Sequence, residues 1–269
     1  MRNQTKPIIP NISKQKDLES WFQSALGRSL LASQRELIAT AIQGFFGVIQ
    51  AEIGVSHRVP VANSSNITHK FFVIPDWSVD LPSNVLVSES DELSLETGSV
   101  DLVILHHALD FTKDPHQTLR EASRVLKSTG HLVIVGFNPT SFWGIRKLFN
   151  RGKQAPWNNR FISGNRISDW LNLLHFQVSD IEHHYYGLPF NKLGLLKQFL
   201  WLDNILNPKV PLGAYYILSA QKQTFSRIQN RQRWNQPVKA VGLSLSSSRN
   251  VYNISQKSKI KNKLGEQKN

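Results

Sequence analysis

Residues 99–139 read SVDLVILHHALDFTKDPHQTLREASRVLKSTGHLVIVGFNP, and this stretch decides the fold. Val100 to Leu105 is almost wholly apolar, as a parallel strand buried on both faces must be. His106, His107 and Asp110 follow at its carboxyl end, where open α/β sheets bind ligands. Asp114-Pro115 then opens a helix whose Leu119, Ala122, Val125 and Leu126 recur at helical spacing. Lys127 is expected in its last turn and Gly130 at its close, with the next buried strand running from Leu132 to Val135. The stretch is one βαβ unit with polar side chains at its mouth.

The same run resembles the carboxyl half of a class I S-adenosylmethionine-dependent methyltransferase domain of the small-molecule type 11 kind. The residues that carry the resemblance are Glu89, Leu93, Ser99-Val100-Asp101, Val103 to His106, Leu119-Arg120-Glu121 and Arg124 to Lys127. Ser128-Thr129-Gly130 stands where the family has Pro-Gly-Gly, and Gly136 to Gly144 resembles a narrower bacterial subgroup. The resemblance implies an α/β, Rossmann-like class I methyltransferase fold. Its sheet has seven strands, mostly parallel, with helices on both faces, and a disordered basic tail follows.

Working outward, residues 1–16 read as a flexible arm, 17–221 as the methyltransferase-like domain and 222–269 as the tail. Helix is expected from Asp17 to about Ala41, with a second start at Ser33 because Glu36 follows at capping-box spacing. Strands are expected at 47–54, 71–74, 84–87, 178–186 and 213–220, and a short helix at 142–149.

By position, the resemblance implies a cofactor site built from Gly54, Asp76, Glu89, Ser90, Leu93 and His106, with S-adenosylmethionine as cofactor. Asp76 lies 22 residues beyond Gly54, near the ~20 expected of a ribose-binding acid. The first glycine turn is thin: Ile53-Gly54-Val55-Ser56-His57-Arg58 has one glycine where the family carries two or three. Each residue also has a structural reading: Gly54 as a strand-end turn, Asp76 as a turn cap, Glu89 as a solvated acid.

His106, His107 and Asp110 are the catalytic candidates, and Asp110, Asn138 and Trp143 the substrate-binding ones. Methyl transfer chiefly requires alignment, and a base only where the acceptor must lose a proton. No metal is expected, because no second carboxylate or histidine stands at a defined spacing from this trio.

The chain has no cysteine, which excludes disulfides and thiolate chemistry. No apolar run approaches the roughly 20 residues of a membrane span, and the first 17 residues lack the apolar core of a signal peptide. A soluble, cytoplasmic protein with a small-molecule acceptor is the expectation. Net charge is +13, but residues 221–269 hold eleven Lys/Arg against Glu266 alone, so +10 belongs to the tail. That tail suits non-specific contact with RNA. Two alternatives therefore stand beside the enzyme: a catalytically degenerate scaffold of the same fold, and an RNA-associated methyltransferase.

Overall fold

The computed structural model describes residues 10–149, 154–189 and 207–223. The chain divides into two units, Met1–Thr224 and Phe225–Asn269. The described residues belong to the first, and the tail expected at 222–269 lies almost wholly outside them.

Two helices come first, α1 (Pro10–Phe22) and α2 (Ala25–Ile42). Strands β1 (Ile49–Gly54), β2 (His69–Ile74), β3 (Val85–Val87) and β4 (Val100–His106) follow. Then come α3 (Ala108–Phe111), α4 (Pro115–Val125), β5 (Leu126–Phe137), α5 (Phe142–Phe149) and α6 (Gly164–Leu173). Two strands, β6 (Phe176–His184) and β7 (Tyr215–Lys222), complete the unit.

The seven strands form one sheet in the order β3-β2-β1-β4-β5-β7-β6. Only β7 runs antiparallel to its neighbours. Adjacent residues of β7 face opposite layers: the Tyr215 hydroxyl meets Ser33 of α2 at 2.8 Å, while the Tyr216 ring lies against Gly164 of α6. Helices therefore cover both faces. The links from β1 to β2, β2 to β3 and β3 to β4 contain no helix, so α1 and α2 must come from outside these crossovers to cover that half.

The central βαβ unit forms as its residues dictate. Asp114 accepts the Gln117 N–H as N-cap, Pro115 opens α4, and Leu119, Ala122 and Val125 are buried. The end of the helix differs from expectation. Strand begins at Leu126, so Lys127 is not in a last helical turn and Gly130 closes nothing. Lys127 instead grips Asp101 of β4 through both carboxylate oxygens at 2.8 Å, beside the register shift between the two strands.

Two further expectations are corrected near the start. Residues 10–16, expected in a loose arm, are the first turns of α1. The cap of α2 is Ser24, whose hydroxyl accepts the Gly27 N–H; Ser33 lies mid-helix. What makes the break at Ser24 is crowding: a Cβ on Gly27 would sit 2.3 Å from the Trp21 carbonyl oxygen. Only glycine lets the two helices meet this closely.

Candidate functional site

Gly54, Glu89 and Ser90 come together at the carboxyl ends of β1 and β3. With Gln15, Phe111 and Thr112 they surround a cavity of about 10 Å³, room for one water. Burial, then the nearby Asp91 carboxylate, pushes the Glu89 carboxyl upward. Asp76 stands beyond β2 in an adjoining open cleft of about 220 Å³, which His57 and Arg58 also line. Gln15 borders both spaces.

Gly54 is glycine for a reason internal to the sheet. A Cβ there would lie 2.6 Å from the His106 carbonyl oxygen and 2.8 Å from its Cβ. Its own carbonyl oxygen accepts the Gln15 side-chain amide at 2.8 Å.

The histidines form a second, closed cluster. His107 adopts left-handed backbone at φ 55°, ψ 11°, uncommon for a residue with a Cβ, and so turns the chain from β4 into α3. That turn brings Asp110 Oδ2 to 2.7 Å from His107 Nδ1. Gln34 of α2 bridges the rings, its Nε2 lying 2.8 Å from His107 Nε2 and its Oε1 3.1 Å from His106 Nε2. Because an amide nitrogen only donates and its oxygen only accepts, His107 carries its proton on Nδ1 and His106 on Nε2. Burial lowers both imidazoles, His107 to about 3, and raises Asp110. The trio is fully buried, and Phe22 of α1 covers the two rings at centroid distances of 5.5 and 5.7 Å.

Three expected site residues are held by interior bonds. Leu93 is buried, its N–H bonded to Glu121 and its carbonyl to Arg124. The Trp143 indole is buried and donates to the Gly187 carbonyl. Asn138 borders a cleft of about 500 Å³ with Ser163, His183 and Lys209, but its amide is engaged by Pro211, Gly213 and Thr140.

Sequence reading misses Gln15, Lys16, Gln34 and Glu52. Gln34 had a signal, since its spacing from Leu30, Leu31 and Ile38 places an amide on an apolar helix face. Glu52 had one too, as a lone acid within a buried strand. Its two oxygens accept the Val61 and Ala62 N–H groups and so hold the loop after β1. Burial raises its carboxyl to about 7, outweighing those bonds.

Among the described residues no three His, Asp or Glu side chains gather as a metal site, and no helix is long and apolar enough to cross a membrane.

This strand order and these strand-end acids define a class I methyltransferase fold. Residues 72–134 match the type 11 family model, described as a methyltransferase domain. The chain is 41% identical over 143 residues to the uncharacterized protein YafS of Escherichia coli (strain K12), covering 52% of this chain and 56% of that one. Malonyl-[acyl-carrier protein] O-methyltransferase 1 of Coxiella burnetii is 31% identical over 112 residues, 40% of this chain and 39% of the enzyme. The chain thus spans about half or less of these relatives. A crystal structure of a SAM-dependent methyltransferase from Thermotoga maritima, titled a possible histamine N-methyltransferase, superposes with a TM-score of 0.59. It is 21% identical and covers 80% of this chain and all of that one, a likeness of fold.

The donors of the site suit S-adenosylmethionine: a carboxylate beyond β2, polar groups after β3 and a backbone carbonyl at β1. The room does not. A nucleoside cannot enter a space of about 10 Å³, and side chains of α1 stand on two of the donors.

Proposed function

We propose that the protein transfers the methyl group of S-adenosylmethionine to a small-molecule acceptor. One observation carries the reading: the Gly54 carbonyl, Asp76 and the Glu89-Ser90 turn stand at the ends of three consecutive strands of a mononucleotide-binding half-sheet. Asp76 would hold the ribose hydroxyls, and Glu89 with Ser90 the adenine side. When bound, the cofactor supplies an electrophilic methyl on a positively charged sulfur, which calls for alignment more than for acid–base work.

The histidine cluster gives the protein's own contribution. Gln34 occupies Nε2 of both imidazoles and Asp110 occupies Nδ1 of His107, which leaves His106 Nδ1 as the unprotonated nitrogen that neither Gln34 nor Asp110 engages. We assign it as the base where an acceptor must lose a proton, a role that requires Phe22 of α1 to move off the closed cluster. Burial weakens it, so it suits acceptors that are already good nucleophiles. The Trp21 indole packs edge to face on Phe137 and on Trp143, and Phe137 lies against His107 at 4.2 Å, apolar surroundings that support a small acceptor over a polyanion.

Calorimetric titration with S-adenosylhomocysteine tests the reading, with Glu89→Ala alongside. Micromolar affinity, about −8 kcal/mol, that falls at least tenfold in the variant is expected. No binding at millimolar ligand would favour the second reading, a scaffold of this fold without catalysis. The one-water cavity is the observation on that reading's side. The RNA-associated alternative rests on residues 222–269, nearly all outside the described residues.

A further inference from the structure

α1 lies across the ends of β1 and β2 and closes on them with side chains from successive positions. Gln15, buried, donates to the Gly54 carbonyl at 2.8 Å. Lys16 Nζ pairs with Asp76 Oδ2 at 2.5 Å, and one turn on Glu19 Oε1 faces Arg58 Nη1 at 3.5 Å. These are the carbonyl and the carboxylate on which the cofactor reading depends.

The two halves of the helix are held differently. Leu18 and Phe22 are fully buried in the core and anchor the second half. The first half is tied by polar contacts. The Lys16–Asp76 pair is exposed, at 63% and 45% of its side-chain surface, and such pairs are weak in water. The Gln15 bond exchanges readily for one to another donor, since the Gly54 carbonyl needs only some partner.

We propose that the first turns of α1 are a latch acting as an internal ligand. Gln15 and Lys16 occupy the polar anchor points of the cofactor groove, and ligand entry requires their release. This rests on the cofactor reading above. It accounts for the mismatch between fitting donors and missing room: Gln15 lines both the 10 Å³ cavity and the 220 Å³ cleft, so its withdrawal enlarges both. Apparent affinity is then the intrinsic affinity scaled by the fraction of unlatched molecules.

The test compares the full chain with Gln15→Ala/Lys16→Ala and with Lys16→Arg, by titration with S-adenosylhomocysteine and by hydrogen exchange across residues 10–22. The double variant should bind about 5- to 30-fold more tightly, the sum of one weak pair and one hydrogen bond. Lys16→Arg should bind as the parent does. Raising salt should tighten binding by the parent, by screening the Lys16–Asp76 pair, and leave the double variant unmoved. Exchange at residues 10–16 should rise in the free double variant, and in the parent on adding ligand. Equal or weaker binding by the double variant overturns the latch and makes α1 a wall of the site. Binding by neither protein, with residues 10–16 exchanging faster in the variant, overturns the cofactor reading and the latch with it. If the double variant does not fold, Lys16→Glu, at the exposed pair, carries the same comparison.

Discussion

His107 Nδ1 lies 2.7 Å from Asp110 Oδ2, and neither side chain has any exposed surface. The distance is that of an ion pair, yet burial favours the uncharged form of each partner. Oδ2 also accepts the Phe137 N–H, which joins β4, α3 and β5 at one oxygen, while Oδ1 has no partner and is free to carry a proton. The contact is a hydrogen bond that fixes the imidazole, and burial favours its neutral form.

Asp110→Asn should accordingly be mild. Its amide oxygen accepts from His107 and Phe137 as the carboxyl does, while its NH2 takes the unpartnered Oδ1 position, so a stability loss of about 1–2 kcal/mol is expected. Asp110→Ala strands two buried donors and should cost about 2–5 kcal/mol. Urea denaturation separates the two, and equal losses would mean that the pair is ionic.

Gln34 is the clamp on both rings, and a side chain of similar size without polar atoms removes it. Gln34→Leu should cost about 2–4 kcal/mol, because one nitrogen of each histidine loses its partner in the interior. A loss below about 1 kcal/mol in the same denaturation would show that water or another group replaces the amide.

Glu52 sets a pH dependence. Its carboxyl is raised to about 7 from an ordinary 4.5. Between these values the folded protein keeps a proton that the unfolded chain has released. Stability therefore falls as pH rises through this window, by up to about 3 kcal/mol, and levels above it. The lowered His107 acts in the opposite sense below its ordinary 6.5. Comparing Glu52→Gln with the parent isolates the glutamate: melting temperatures from pH 4.5 to 8 should lose this downward component in the variant. Parallel curves would show Glu52 ionised throughout.

Much of the central unit is legible in the residues themselves. A strand buried on both faces reads as an unbroken apolar run, and Asp114-Pro115 announces its helix, so β4, α4 and the body of β5 stand where patterning puts them. Long-range contacts are not legible in this way. NISKQK looks like an arm because nothing local reveals that Gln15 meets Gly54 and Lys16 meets Asp76, contacts spanning 39 and 60 positions. Ser33 and Glu36 have capping-box spacing, but packing at Gly27 moves the helix start to Ser24. Lys127 has helix-end chemistry, but Asp101 draws it into a strand. At the site, the grouping of Gly54, Glu89 and Ser90 follows from strand order, and the closure over it does not.

Gly54 distinguishes a glycine kept for a ligand from one kept for the fold. A side chain there collides with the backbone and Cβ of His106, to which β1 is already hydrogen-bonded in register, so neither strand can yield alone. Gly54→Ala should cost about 1–3 kcal/mol as overpacking. Because the obstructed direction faces β4 rather than the groove, affinity for S-adenosylhomocysteine among folded molecules should change less than threefold. Denaturation and titration of the same variant check both halves. Unchanged stability with lost affinity would mean that the glycine is there to admit a ligand, and that the thin first motif still works as the family's fuller one does.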